Sequence, residues 1–443
     1  MAKSGMELFK KQEAEQATLM NALSPFPRSF PPEILDTAIE FLLLDEPPSA
    51  WTSKDDNPYL QTTTIRLVCR TWNSLVLSRP VFWTRLFFKL EAHEEKWLEP
   101  QTRNGKLRMS RCGDHGLQLY ISGDVTMVDW GEQSVKSFIS FIKQSSDRWT
   151  SLNIWGSYYA SFFALILADS NGVRTQWGSL HTLNVADSSL IEEDDLILPS
   201  SCFPLLQAIE LNLGWSDAVL SYNLPWSQLT QLSFQGRTDE LDEHLTTLSQ
   251  CINLESLTLT SEEHHEIDST PGDKVVVPSL RSFKLIAADC SQSLLTNVLP
   301  RLILPRLQSL EFVERFSSGS DTPLHALCQI VDGSRCELQD LQVRLLERGS
   351  PHQERALSAL LQRTQHTLRT LVVEGVGLTG KFLEDFKPER LEDFIFQESL
   401  LDAEPDSSLA RWLRNQMQKE DWNGRCGMKV KATFGSKGRS LLG

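Results

Sequence analysis

Three glycines towards the end of the chain have the spacing of a phosphate-binding loop. Gly375, Gly377 and Gly380 form a GxGxxG motif between an apolar strand-like segment and a helix-like one, and Glu398 follows near the end of the next strand-like segment. In dinucleotide-binding folds such glycines let the backbone approach a pyrophosphate, while an acidic residue binds the ribose. Only 45 residues follow Glu398, too few to complete a doubly wound sheet, so we expect the glycines to turn the chain after a strand. A nucleotide-dependent enzyme is the alternative.

The other clusters of reactive side chains lack the spacing that catalysis or metal binding requires. His264, His265 and Glu266 are consecutive rather than arranged as HExxH, and the acidic run at 192–195 is typical of a solvated connection. The sequence contains neither a GxSxG motif nor a P-loop. The eight cysteines form no CxxC pair, which predicts buried reduced thiols rather than disulfides or a zinc site. We therefore predict a protein that is not an enzyme and uses neither metal nor cofactor.

The composition predicts a folded protein with an acidic middle. The chain of 443 residues is long enough for two or three domains, or for one small domain and a repeat array. Its content of 40% apolar and 9% aromatic residues predicts packed cores. Residues 149–400 contain 34 acidic and 17 basic side chains, which disfavours nucleic acid and anionic membranes as partners and favours a basic one. The N-terminus lacks an apolar signal core, and no apolar stretch is long enough to span a bilayer, so we expect a cytoplasmic or nuclear protein.

A repeated apolar pattern predicts the fold of most of the chain. The pattern apolar-x-x-apolar-x-apolar recurs every 23 to 31 residues, close to the period of leucine-rich repeats. It begins at residues 149, 180, 206, 229, 254, 280, 307, 338, 368 and 391. Helical periodicity occurs in 134–144, with Val135, Phe138, Ile139 and Ile142 on one face, and in 353–364, with Ala356, Leu357, Leu360 and Leu361 on one face. We predict an α/β leucine-rich-repeat solenoid with a curved parallel sheet.

Strand alternation predicts which residues of this sheet face solvent. Leu183 and Val185 would point into the core, and one residue of each strand would form an exposed row. That row comprises Asn153, Asn184, Glu210, Ser233, Thr258, Lys284, Glu311, Gln342, Val372 and Ile395. We predict that this face binds a target protein with a basic segment, steered by acidic runs at 192–195, 239–243 and 262–266. The predicted contact residues are Trp155, Asn184, Glu210, Lys284, Glu311 and Arg344.

The N-terminal region predicts three short helices with more apolar surface than they can cover. Residues 30–44 place Ile34, Leu35, Ala38, Ile39 and Leu42 on one face, and Pro80 sits where a proline opens a third helix over 80–87. The middle helix, 65–76, carries a wide apolar stripe of Ile65, Val68, Cys69, Trp72, Leu75 and Val76. A unit of about 60 residues cannot bury all this surface. We expect neighbouring repeats or another protein to cover the excess, which includes Trp72 and Trp83.

Three blocks in this region resemble an F-box: PPEIL at 31–35, LVCRTWNSLV at 67–76 and PVFWTRL at 80–86. Together with the repeats they resemble the F-box proteins with leucine-rich repeats that are common in fungi. The resemblance implies a substrate receptor of a Skp–cullin–F-box ubiquitin ligase, whose F-box docks on the Skp adaptor and whose repeats hold the protein to be ubiquitinated. It places eight residues at or beside the adaptor surface: Pro32, Ile34, Leu35, Val68, Cys69, Trp72, Phe82 and Trp83.

Two features depart from the F-box pattern. Phe30 stands where the family usually has leucine, and residues 46–64 form a longer link than usual between the first two helices. The Pro, Asp and Ser content of this link predicts an exposed insertion.

The predicted organisation has five parts. They are an N-terminal helical segment at 1–27, the F-box at 28–90 with its inserted loop at 46–64, a linker at 91–116, the solenoid at 117–400, and a C-terminal cap with a basic tail at 401–443. The predicted function is non-catalytic substrate recognition for a cullin–RING ligase. The alternative within the same family is a scaffold or assembly factor that does not mark a substrate for degradation.

Overall fold

The computed structural model describes an α/β protein built on a large parallel sheet. The residues described are 33–35, 37–39, 60–90, 98–124, 128, 131–157, 160–167, 175–187, 200–212, 224–236, 241–261, 273–287, 295, 298–314, 322–345, 351–375, 382, 390–398 and 429–434. The chain forms two compact units, Met1–Asn153 and Ile154–Gly443, and the division falls within strand Trp149–Ser157. None of the helices in the described ranges has the length and apolarity needed to cross a membrane.

The first unit combines short helices with parallel strands. Residues 33–35 and 37–39 are helical, and Leu35 and Ile39 are buried, as expected for apolar residues four positions apart. The elements that follow are α1 (Leu60–Val68), α2 (Arg70–Ser78), a 3-10 turn (Pro80–Trp83), β1 (Arg85–Leu90), α3 (Leu98–Arg111), β2 (Leu117–Asp124), α4 (Gln133–Gln144), a second 3-10 turn (Ser146–Arg148) and β3 (Trp149–Ser157). Strands β1 and β2 pair in parallel.

The helix predicted over 65–76 is broken in two at Cys69. The backbone of Cys69 is extended, with φ −161° and ψ 171°, so α1 ends at Val68 and α2 begins at Arg70. The Cys69 carbonyl accepts the Asn73 amide at 3.0 Å and thereby starts the second helix. The apolar periodicity continues through the break, so the pattern gives no sign of it. Helix α1 also begins at Leu60, within the part of the chain that we predicted as the 46–64 insertion.

Two further predictions for the first unit are wrong. Only Pro80–Trp83 is helical in the segment predicted as a third helix, and strand β1 begins at Arg85. The β-favouring sequence LFF explains the change to strand. The predicted linker 91–116 contains helix α3, whose buried residues are Leu98, Thr102, Gly105 and Arg108. Because three of these four residues are not large apolar residues, the hydrophobic period of α3 is absent from the sequence.

The second unit places its main strands side by side in the order of the chain. Its elements are α5 (Ala160–Leu167), β4 (Thr182–Asp187), β5 (Ala208–Asn212), β6 (Gln231–Gly236), α6 (Leu241–Gln250), β7 (Ser256–Ser261), β8 (Val275–Val276), β9 (Ser282–Ala287), β10 (Leu302–Ile303), β11 (Ser309–Glu314), α7 (Thr322–Ser334), β12 (Asp340–Arg344), α8 (Pro351–Thr364), β13 (Thr370–Glu374), β14 (Asp393–Glu398) and β15 (Lys429–Phe434). Strands β8 and β10 form a separate parallel pair. The others follow the order β4, β5, β6, β7, β9, β11, β12, β13, β14, β15.

Every copy of the repeated apolar pattern coincides with a strand, as predicted. From the second copy to the last, each strand begins two residues after the first leucine of the pattern. These leucines are all buried: Leu180, Leu206, Leu229, Leu254, Leu280, Leu307, Leu338, Leu368 and Leu391. The predicted apolar faces of α4 and α8 are buried as well, which confirms both helical patterns.

One backbone contact is repeated at the start of each main-sheet strand from β5 to β14, a series that excludes the short strands β8 and β10. The carbonyl of the residue just before one strand accepts two amides, those of the last residue before the next strand and of the first residue in it: His181 O accepts Gln207 N and Ala208 N, both at 2.9 Å. The same arrangement follows at the carbonyls of Gln207, Thr230, Glu255, Arg281, Gln308, Gln339 and Arg369. This contact holds neighbouring strands in one register, so residues at equivalent pattern positions lie side by side.

The C-terminal segment predicted as a cap and basic tail contains a strand. Strand β15 pairs in parallel with β14, and its backbone register aligns Lys429 with Asp393 and Lys431 with Ile395. The sequence gives little sign of this strand, because lysine is uncommon in strands and interrupts the apolar pattern of KVKATF. The N-terminal segment 1–27 lies outside the described residues.

Gly375, the first glycine of the GxGxxG motif, is required by the fold of the chain itself. Its φ is +76°, and a Cβ atom added there would lie 1.7 Å from the Leu345 carbonyl oxygen. The Leu345 amide donates to the Glu374 carbonyl at 2.8 Å, which holds the two strand ends at this close approach. The first glycine therefore turns the chain after a strand, as predicted. Gly377 and Gly380 lie outside the described residues.

We predict that Gly375→Ala destabilises the protein by at least about 2 kcal/mol, because alanine would adopt a strained φ and its Cβ would clash with the Leu345 carbonyl. Urea unfolding monitored by circular dichroism measures the change. Gly333→Ala is the matched control: this helical glycine has nothing within 4 Å of an added Cβ, so we expect a gain of up to about 1 kcal/mol. Equal stabilities of the two variants would contradict this explanation.

Candidate interaction surfaces

Helices α1 and α2 expose apolar side chains that the first unit does not cover. Leu67 is 76% exposed, Leu77 37% and Val68 36%. Beside them, the solvent face of α2 lines an open cavity of about 690 Å³, formed by Arg70, Thr71, Ser74, Leu75, Ser78 and Arg79. Apolar side chains next to a polar and basic rim are typical of a protein–protein interface. We call Leu67, Val68 and Leu77 the helical apolar surface.

The structure divides the residues predicted at the adaptor surface into exposed and buried groups. Ile34 is 52% exposed and Val68 36%. Cys69 and Trp72 are half-buried. Leu35, Phe82 and Trp83 are buried, at 3 to 4% exposure, so their side chains pack inside the first unit. Pro32 lies outside the described residues. The resemblance to the F-box blocks cannot separate exposed from buried residues, because the first two blocks each contain both kinds.

Trp83 bonds to helix α2, and the backbone on either side of it bonds to helix α3. Its indole N–H donates to the Val76 carbonyl on α2 at 2.9 Å. The buried Arg108 of α3 donates to the Phe82 carbonyl at 2.9 Å and to the Arg85 carbonyl at 3.1 Å. Trp72 differs, because its buried indole nitrogen has no hydrogen-bond partner in the described structure.

We predict that Trp83→Ala destabilises the protein by about 3 to 5 kcal/mol, because it leaves a large cavity and removes the bond to Val76. Leu67→Ala should change the stability by less than about 0.5 kcal/mol, because its side chain is in solvent. Chemical unfolding of both variants measures the difference. A stable Trp83→Ala variant would show that this residue does not form the core.

The second surface is the solvent face of the sheet in the second unit. The predicted row is in register across nine strands, from β4 to β14: Asn184, Glu210, Ser233, Thr258, Lys284, Glu311, Gln342, Val372 and Ile395. All of these residues are half-buried or exposed, while those of their strand neighbours whose side chains the structure describes are buried. Asn153 is the exception at 8% exposure, because its side-chain amide is buried against the Leu119 carbonyl at 3.4 Å.

Several charged residues on this face are already paired with each other. Lys284 and Glu311 form a salt bridge of 3.1 Å between β9 and β11. Arg344 lies 3.8 Å from Glu374 and also donates to Gln342 at 3.4 Å. The charges of Lys284 and Glu311, both predicted contact residues, therefore offset each other in this structure.

The remaining predicted contact residues lie at the start of the row. The Asn184 side-chain amide donates to the Glu210 carboxylate at 2.8 Å between β4 and β5. Partial burial raises the pKa of the Glu210 carboxyl, although the residue as a whole is exposed. Trp155 is half-buried on β3. The acidic runs at 192–195, 239–243 and 262–266 lie outside the residues whose side chains the structure describes.

Some surface residues were not identified from the sequence. Leu67 and Leu77 are not part of the apolar stripe of the predicted helix 65–76. Apolar residues outside such a stripe are expected to face solvent. On the sheet, Ile286 and Val313 are neighbours in register. Each lies two residues after a member of the predicted row, Lys284 or Glu311, on the same face of the sheet. With Val372 and Ile395 they make the later strands more apolar than the earlier ones. Counting every second residue of each strand, rather than one, would have found them.

The described residues show no arrangement typical of an active site. They contain no group of three or more His, Cys, Asp or Glu that could hold a metal ion. Burial raises the pKa of the Cys251 thiol to about 12 and also raises those of Cys328 and Cys336. Such thiols stay protonated at neutral pH and are poor nucleophiles. The order of the described strands has no reversal of the kind at which dinucleotides bind.

Compared with known proteins, the chain matches no family model and no characterised protein.

We predict that Asn184→Ala raises the pKa of Glu210 further, because it removes the donor that stabilises the charged carboxylate. NMR titration of the side-chain carboxyl measures the shift. Because the pKa is raised in the folded state, the stability due to Glu210 falls as the pH rises through that pKa. Glu210→Gln should therefore be more stable than wild type above this pH and equally stable below it. A lowered pKa in Asn184→Ala would contradict the assignment of the donor.

Proposed function

We propose that this protein is a substrate-recognition subunit of a cullin–RING ubiquitin ligase. The first unit would contain the F-box and dock on the Skp adaptor through the helical apolar surface. The second unit would be a leucine-rich-repeat solenoid that binds a target protein on its sheet face. The proposal rests on the three F-box-like blocks and on the surfaces beside them.

The observation that carries the proposal is the exposure of Leu67 and Val68. Both lie in the block LVCRTWNSLV, and Leu67 is the most exposed large apolar residue of those described, at 76%. The core of the first unit is filled by other residues, including Ile65, Val76 and Trp83. Neighbouring apolar side chains that remain in solvent are typical of a protein-binding surface.

The repeat architecture supports the second half of the proposal. The strands recur at the spacing of leucine-rich repeats, each buries the equivalent leucine, and each repeats the same backbone contact with its neighbour. A solenoid of this kind offers a long row of half-exposed side chains to a protein partner. The mixture of amide, hydroxyl, paired charged and apolar residues suits an extended protein surface rather than a nucleic acid.

The mechanism would be proximity rather than chemistry by this chain. A receptor that binds the adaptor at one surface and the target at another raises the local concentration of the target near the ubiquitin donor. None of its own residues needs to act as an acid, base or nucleophile.

Affinity purification of the tagged full-length protein tests this function. We expect the Skp adaptor and a cullin to co-purify, and proximity labelling to recover a target that accumulates when the proteasome is inhibited. Recovery of the adaptor without cullin would favour the alternative, an assembly or scaffold factor. Recovery of neither protein would overturn the assignment to a ubiquitin ligase.

We predict that the double variant Leu67→Asp, Val68→Asp loses adaptor binding while its unfolding temperature stays close to that of wild type. Each side chain should contribute at least about 2 kcal/mol if it is an interface hot spot, so the double variant should bind at least several hundredfold more weakly. Titration calorimetry with purified adaptor measures the loss. Leu107→Asp is the control, because Leu107 is 48% exposed on α3 and lies outside the F-box blocks. Equal effects of the two changes would exclude a specific docking surface.

A further inference from the structure

Three arginine side chains converge on the indole ring of Trp83. The guanidinium carbon of Arg66 on α1 lies 5.8 Å from the ring centre, that of Arg108 on α3 5.1 Å and that of Arg111 on α3 4.5 Å. The ring attracts each cation. The three cations also repel one another, and this repulsion is strongest where water is excluded.

The three arginines differ in how their hydrogen-bond donors are used. Arg108 is 4% exposed and binds two backbone carbonyls, so its role is structural. Arg66 is half-buried and donates from Nε to the Asn73 side chain at 3.0 Å. Arg111 is also half-buried and forms no hydrogen bond or ion pair with any residue in the described ranges. Donors of Arg66 and Arg111 thus remain for an additional acceptor.

The elements that carry the cluster contain almost no negative charge. Residues 60–90 hold five basic side chains and no acidic one. In α3 the sole acid, Glu99, pairs with Arg103 at 3.3 Å. Asp114, three residues after Arg111, is exposed and forms no ion pair with the described part of the chain. The acidic surplus of the protein therefore does not neutralise this cluster from within its own elements.

We propose that Arg66 and Arg111, held against Trp83, form a binding site for a phosphoryl group. A tetrahedral dianion accepts several guanidinium hydrogen bonds at once and offsets more positive charge than a single carboxylate. Arg108 holds the backbone on either side of Trp83 through its bonds to the Phe82 and Arg85 carbonyls. The ligand is a free phosphate compound or a phosphorylated side chain, which present the same group. This inference does not depend on the proposed function.

Thermal unfolding of the full-length protein tests the site. Sodium phosphate should raise the unfolding temperature of wild type above its value in sodium chloride or sodium acetate of equal ionic strength. Arg111→Gln and Arg66→Gln should each remove this difference and weaken phosphate binding at least about tenfold in titration calorimetry. In chloride, Arg111→Gln should unfold no earlier than wild type, because it relieves the repulsion. A purely structural stacking role predicts earlier unfolding instead.

Arg103→Gln is the matched control on the same helix, because Arg103 is 80% exposed and already paired with Glu99. It should leave the phosphate effect intact. Equal stabilisation by phosphate and chloride, or by phosphate and acetate, would overturn the proposal, as would an unchanged phosphate effect in both Arg66→Gln and Arg111→Gln. A phosphoserine peptide that binds more tightly than inorganic phosphate would assign the site to a modified protein, and the reverse order to a small phosphate compound.

Discussion

The second unit depends on a double hydrogen bond, in which the carbonyl just before one strand accepts the two amides at the start of the next strand. Because this contact recurs in the main-sheet strands from β5 to β14, each of these strands is fixed in the same register as the previous one. The leucines of one repeat are then covered by those of the next, which a single repeat could not achieve alone. The same register aligns the half-exposed residues into rows. The same backbone contact therefore determines both which leucines are buried and which side chains form the exposed rows.

This constraint explains how much of the molecule could be predicted from its sequence. In a strand with one buried face, apolar and polar residues alternate, and this alternation indicates the register. Positions such as Glu210 and Lys284 could therefore be placed in one row from the sequence. The side-chain pairing within the row could not be predicted in this way. Alternation gives the face on which a residue lies but not the conformation of its side chain, on which the salt bridge between Lys284 and Glu311 depends.

The first unit was predicted less well, for a different physical reason. Its core depends on polar residues that leave no apolar period, and one of its helices is broken at a point that the apolar period does not reveal. Arg108 is buried because two carbonyls accept its guanidinium, and Cys69 interrupts a helix whose stripe continues past it. Burial of Phe82 and Trp83 rather than exposure follows from the turn at Pro80 and from strand β1, which the sequence pattern indicated as helix.

Hydrogen exchange of the full-length protein, with and without purified Skp adaptor, tests the central claim that docking and target recognition use different surfaces. We expect the adaptor to protect amides in Leu60–Ser78 and to leave the strands from Thr182 to Glu398 unchanged, because only the first helices would be covered. Protection of the sheet strands, or no protection in Leu60–Ser78 at saturating adaptor, would contradict it.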